Sequence, residues 1–145
     1  MTPYFLPDQQ LLTALSLAAM RGVKVEIVLP QKGDHPLVDR ATRANIGPLL
    51  RDGVLIWRSA PPFRHSKLLV VDGEWSLIGS SNCDMRSFRL NFELCIEIYD
   101  RRLAEELGTA ITQCQGRPLV IADLDGRSLP LRLIDAGARL LLPYL

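Results

Sequence analysis

The sequence predicts an α/β domain built on a mixed β-sheet with helices on both faces. Three observations carry this. Apolar residues recur at helical spacing over residues 11–19 and again over 103–111. Short runs rich in leucine and β-branched residues alternate with them. Between residues 66 and 98 such runs come one after another, so strands cluster there.

In chain order, Pro3 and Pro7 keep the entry out of a helix interior, and Asp8 is placed to cap the next helix. Leu11, Leu12, Leu15 and Ala19 then line that helix, and Gly22 stops it. Residues 23–29 form a short strand with Lys24 and Glu26 on one face. Residues 31–36 are polar and turn-rich; Asp34 is the expected cap of a helix opening at Pro36. Gly47-Pro48 bends or breaks that helix. Asp52-Gly53 leads into a strand at 54–57, and Pro61-Pro62-Phe63 is a loop. Phe63 reads as a core cover or a contact for a lipid chain. Residues 84–89 read as a charged loop, and Arg86 and Arg89 either hold a second anion or are simply solvated. Asp100 caps a helix through Leu103, Leu107, Ala110 and Ile111. Pattern fades from Gly116. Residues 129–142 are apolar with Arg132 and Arg139 interspersed: an amphipathic segment for a membrane surface or for another protein half. The expected division is a domain over 1–116 and a tail over 117–145.

The chain has 145 residues, enough for one domain with a core, and a formal net charge of +1. That balance gives no general footprint for nucleic acid, although it leaves room for a local basic patch. Cys83, Cys95 and Cys114 are widely spaced and odd in number, so they read as free thiols, not a disulfide framework or a metal site. No apolar run is long enough to span a bilayer and no signal peptide is visible at the start. No metal or cofactor is implied.

The chemistry concentrates in one predicted hairpin. Residues 66–71 form a strand, Asp72-Gly73 is a strong turn signal, and residues 75–78 return antiparallel to Gly79. Alternation puts His65 and Lys67 on the same face. The return brings Ser80 and Asn82 back beside them. Lys67 is a fixed donor, and Ser80 and Asn82 are neutral hydrogen-bonding side chains, suited to phosphoryl oxygens that gain charge. His65 is a nucleophile near neutral pH, able to form a phosphohistidine. Asp72 lies at odd spacing and fits a turn residue better than a general base. Glu93, in a third predicted strand over 91–98, is the candidate carboxylate for orienting His65; Glu97 reads as a solvated edge position. His35 reads as structural, near a helix start.

His65, Lys67, Asp72, Gly79, Ser80 and Asn82 together reproduce the HxKxxxxDxxxxxxGSxN pattern, and the run resembles the HKD motif of the phospholipase D superfamily. A chance match at one start point is on the order of 10⁻⁸. Residues 2–8, 21–23, 34–38, 86–93 and 138–145 extend the resemblance towards the carboxy-terminal half of bacterial cardiolipin synthases. It is weakest over 116–130.

The resemblance implies a phospholipase D-like fold and a catalytic set of His65, Lys67 and Asp72. Ser80 and Asn82 would bind phosphate and Glu93 would orient the histidine. It also implies a phospholipid substrate, phosphatidylglycerol, converted to cardiolipin at the cytoplasmic membrane of a bacterium. The protein would sit there peripherally on the cytoplasmic side, or be tethered through an amino-terminal half. Such synthases carry two motifs, and this chain carries one. The general acid must then come from a second HKD half or a homodimer mate, as in some single-motif nucleases of the superfamily. Alternatives are a homodimeric phosphodiesterase acting on lipid or nucleic acid, and an inactive remnant; nucleic acid is not favoured.

Overall fold

The computed structural model describes residues 1–139. The end of the apolar run at Leu142, and residues 140–145 of the matched ending, lie outside the described residues.

Fifteen elements alternate as strands β1 (Phe5–Leu6), β2 (Glu26–Pro30), β3 (Leu55–Ser59), β4 (Leu68–Val71), β5 (Trp75–Gly79), β6 (Cys83–Asp84), β7 (Cys95–Tyr99) and β8 (Arg117–Pro118) with seven helices. The helices are α1 (Gln9–Met20), α2 (Pro36–Asn45), α3 (Gly47–Arg51), α4 (Met85–Arg89), α5 (Arg101–Gln113), α6 (Ile121–Asp125) and α7 (Leu129–Arg139). β2 runs parallel to β3, and β8 closes the other edge of β3 antiparallel. β4, β5 and β7 form an antiparallel meander, and β1 pairs parallel with β6. The first residues join the patches: Thr2 N donates to Val28 O at 3.2 Å and Leu68 N to Met1 O at 3.0 Å.

Neighbouring strand residues point to opposite faces, and β1 shows what lies on each. Phe5 packs with Leu12, Ile27, Leu29, Leu49 and Ile56, the core under α1 and α3. Leu6 packs with Val38, Ala41 and Ala138, the core under α2 and α7. The sheet is mixed and flanked by helices on both faces, as the sequence predicts.

The local expectations hold where one side chain decides the outcome. Asp8 caps α1 by accepting from Leu11 N at 2.9 Å, and Asp100 caps α5 by accepting from Leu103 N at 2.8 Å. The Gly47-Pro48 break separates α2 from α3. Three expectations are corrected. Asp34 does not cap α2: His35 occupies the cap position without a side-chain bond, and Asp34 accepts from the Tyr4 hydroxyl at 2.8 Å. The expected loop at 84–89 is instead a short helix, Met85–Arg89, capped by Asp84, which accepts from Ser87 N at 2.7 Å. The third strand begins at Cys95, leaving residues 91–94 irregular.

α7 lies on α2, burying Ala138 and Asp135, while Leu129, Leu133 and Ile134 on its other side are exposed.

Candidate functional site

The site grows from the β4–β5–β7 meander. Val71 pairs with Trp75, so Asp72, Gly73 and Glu74 form the tip. Asp72 and Gly73 both take positive φ, +53° and +67°, which the Asp-Gly pair tolerates. Asp72 therefore sits exposed at the tip. At about 3.3 Å per residue it lies about 16 Å along the strand from Lys67. It is a turn residue, out of reach of the phosphate-binding side chains, and does not join the catalytic set in which the motif placed it.

At the other end of the hairpin, Lys67 Nζ lies 2.8 Å from His65 Nδ1 and 3.2 Å from Nε2, and also donates to His65 O at 3.1 Å. The imidazole is exposed, with the Tyr4 ring edge-on at 6.4 Å and the Phe63 ring at 6.0 Å. The nucleophile candidate thus has an ammonium beside it and aromatic walls around it. Burial lowers the Lys67 pKa, partly offset by the carboxylates of Glu93, Asp84 and Asp34. Burial and the Asp34 bond push the Tyr4 phenol up to about 12, so it stays protonated.

Glu93 organises the second cluster. It accepts hydrogen bonds from Ser80 Oγ, from Ser87 Oγ at 2.8 Å and from Asn91 Nδ2 at 3.4 Å. Ser80 Oγ also accepts from Leu94 N at 3.0 Å. Donation first by Ser80 and then by Ser87 holds the Glu93 carboxyl below the usual carboxylate range. Ser87 Oγ accepts from Asn82 N at 3.0 Å, so one buried hydroxyl links Asn82 to Glu93. The Asn82 Oδ1 atom is buried without a hydrogen-bond partner among the described residues.

The expected Glu93–His65 bond is absent: within the described residues the ring nitrogens have only Lys67 as a hydrogen-bond partner. Glu93 instead positions the hydroxyl of Ser80, with Ser87 as its bridge. Sequence reading missed Ser87, and the signal was the Asp84–Ser87 spacing of a helix cap. Of the arginines weighed for a second anion, Arg89 pairs with Asp8 at 3.4 Å, and Arg86 is exposed.

Gly79 shows why the pattern demands glycine. A Cβ there would stand 2.5 Å from Leu94 O and Cys95 Sγ, so β7 approaches β5 closely only because none is present. That approach sets Ser80 against Glu93 and Leu94.

No group of three metal-ligating side chains occurs among the described residues. The arrangement suits an anion: a cation beside an exposed imidazole, with the Ser80 hydroxyl and the Asn82 backbone tied to the Glu93 hub.

Residues 1–114 match the family described as cardiolipin synthase, PLD-like domain. Cardiolipin synthase 1 of Staphylococcus epidermidis is 42% identical over 146 residues, covering 99% of this chain and 30% of its own length. Cardiolipin synthase of Listeria welshimeri is 41% identical over 149 residues, again covering 99% and 30%. The chain therefore spans about 30% of the length of these curated relatives. In structure it resembles Nuc of Salmonella typhimurium, a phospholipase D family member, at TM-score 0.70 and 25% identity, covering 83% of this chain and 80% of that one. It also resembles phosphatidylserine synthase of Haemophilus influenzae, at TM-score 0.69 and 18% identity, covering 99% of this chain and 40% of that one.

Proposed function

The chain belongs to the cardiolipin synthase, PLD-like domain family, and from that premise we propose that it supplies one half of a phosphatidyl-transfer site making cardiolipin from phosphatidylglycerol. The observation that carries this reading is the Lys67 ammonium 2.8 Å from His65 at the open end of the hairpin, within a complete HKD pattern.

In the proposed reaction a His65 ring nitrogen attacks phosphorus, and the bond to the leaving alcohol breaks. The alkoxide takes a proton from a general acid. Lys67 and Asn82 donate to the equatorial oxygens, and Ser80 joins them when its single hydroxyl proton turns from Glu93 to phosphate. The hydroxyl of a second phosphatidylglycerol then attacks phosphorus, its proton passes to the same group, and the P–N bond breaks. Cardiolipin and glycerol are the products.

Among the described residues no second histidine stands beside His65, so the general acid is assigned to a partner. A second phospholipase D-like unit fits the open sheet face that continues from Lys67. Strand pairing puts Leu69, Val71, Trp75, Cys95, Glu97 and Tyr99 on that face, and Leu69, Val71 and Tyr99 are exposed. The curated relatives are long enough to hold such a unit in one chain. No helix among the described residues is long and apolar enough to cross a membrane. The exposed leucines of α7 support a peripheral seat on the cytoplasmic side of a bacterial membrane.

A second reading is a self-paired phosphodiesterase. Nuc favours it, because this chain covers most of that phospholipase D family member's length.

Incubation with phosphorus-labelled phosphatidylglycerol, quenched in alkaline detergent so that a P–N bond survives, tests the reaction. Label is expected on the protein and absent from His65→Ala. Label in that variant would refute the role of His65, and release of free phosphatidic acid in place of cardiolipin would favour the second reading.

A further inference from the structure

A cavity of about 260 Å³ lies between α2, β3 and α6, and shares no lining residue with the His65 cluster. Arg43, Arg58, Arg117 and Arg127 line it with Asp123; Arg43, Arg117 and Arg127 pair with Asp39, Asp123 and Asp135, and Arg58 is left over.

Arg58 is the decisive member. It comes from β3, is only 9% exposed, and donates to Pro30 O at 2.9 Å. Among the described residues no carboxylate lies within ion-pair distance of it. A guanidinium has five N–H donors, and Pro30 O is the one acceptor Arg58 meets among the described residues. Burying an uncompensated charge is costly, and here burial lowers the Arg58 pKa, while Asp39 and Asp123 oppose that only from a distance. Arg127 differs: its buried Nε lies 3.1 Å from Asp135 Oδ2 as an ion pair. The nearby carboxylates are engaged. Asp123 pairs with Arg117 at 2.5 Å and accepts from Val120 N at 3.0 Å. Asp39 accepts from Gly33 N at 3.0 Å and lies 3.8 Å from Arg43. Asp135 is shared between Arg127 and Arg40.

We propose that this cavity binds a single phosphate group, with Arg58 as its floor and Arg43, Arg117 and Arg127 as its rim. Arginine forks match phosphate oxygens bidentately, and the volume is below the roughly 300–1,000 Å³ of drug-sized ligand pockets. The phosphate belongs either to an anionic lipid headgroup or to a soluble phosphate compound. The site is independent of the chemistry assigned to His65.

The test uses the whole chain in a Lys67→Ala background, so that anion binding at the hairpin is not read. Arginine Nε–Hε resonances are monitored while inorganic phosphate is added, against sodium chloride at matched ionic strength. Saturable shifts of Arg58 and its three neighbours are expected. An Arg43→Ala/Arg117→Ala variant, which leaves the buried Arg58 in place, is expected to bind phosphate at least tenfold more weakly at an unchanged melting temperature. Flotation with phosphatidylcholine vesicles, with and without phosphatidylglycerol, separates the sources. Loss of phosphatidylglycerol-dependent flotation in the variant assigns a lipid headgroup, and unchanged flotation assigns a soluble phosphate. Shifts no larger than those with chloride, or equal phosphate affinity in the variant, would overturn the proposal.

Discussion

Glu93 is a hub because three neighbours donate to one carboxylate, and those bonds need it ionised. Its pKa is held down in the folded protein, so its contribution to stability is fully present above the ordinary carboxylate value of about 4.3. That contribution is lost as pH falls through the lower folded value. Glu93→Gln should therefore lower the melting temperature most at neutral pH and least at the acid end, flattening the limb below the ordinary carboxylate value; parallel profiles would remove Glu93 from this role. Thiol reactivity tracks burial in the same way. Cys83 is pushed up to about 12, chiefly by burial, and Cys95 is exposed. Cys95 should label first with a disulfide reagent and Cys83 last, read by peptide mapping.

Within elements, the hairpin and the helix caps dominate. Ser76 on β5 is fully buried on the sheet face under α5, and its hydroxyl lacks a partner among the described residues. An unsatisfied buried hydroxyl costs about 1–3 kcal/mol. Ser76→Ala is thus expected to stabilise the domain by about 1 kcal/mol in urea unfolding, and a loss of stability would mean that the hydroxyl has a partner. The α5 cap runs the other way. Asp100→Ala removes the acceptor for Leu103 N and should cost about 1 kcal/mol in the same assay. Gly79 is the least replaceable residue of the hairpin, since any side chain there pushes β7 away and takes Ser80 from its partners.

For the whole molecule, the β4–β5–β7 meander is the part with one covered face and one open face. α5 packs on β4 and β5, while Leu69 at 49% and Tyr99 at 80% exposure remain in water on the Lys67 side. Contiguous apolar exposure is the mark of a docking face, and here the proposed second unit would seat. Leu69→Glu should leave the melting temperature nearly unchanged, because the side chain is half exposed. It should abolish any concentration-dependent association seen by sedimentation, together with any catalysis that depends on pairing. Association that survives the change would place the partner elsewhere.

Much of this protein is legible along the chain because the governing interactions are local. Strand alternation alone puts His65 and Lys67 on one face, Asp-Gly places the turn, and Asp8 and Asp100 mark helix starts through bonds spanning three residues. The full HKD pattern carries the family without help from the fold. Every choice among distant partners needed the tertiary structure. Glu93 bonds Ser80 and Ser87 and leaves the imidazole to Lys67, because the close approach at Gly79 delivers it there. Asp34 goes to Tyr4, and Asp72 is left at the tip. The arginine-lined cavity gathers residues 43, 58, 117 and 127 from four separate elements and loops. No spacing rule relates them; burial and charge are properties of the packed assembly, and only three-dimensional proximity sets them.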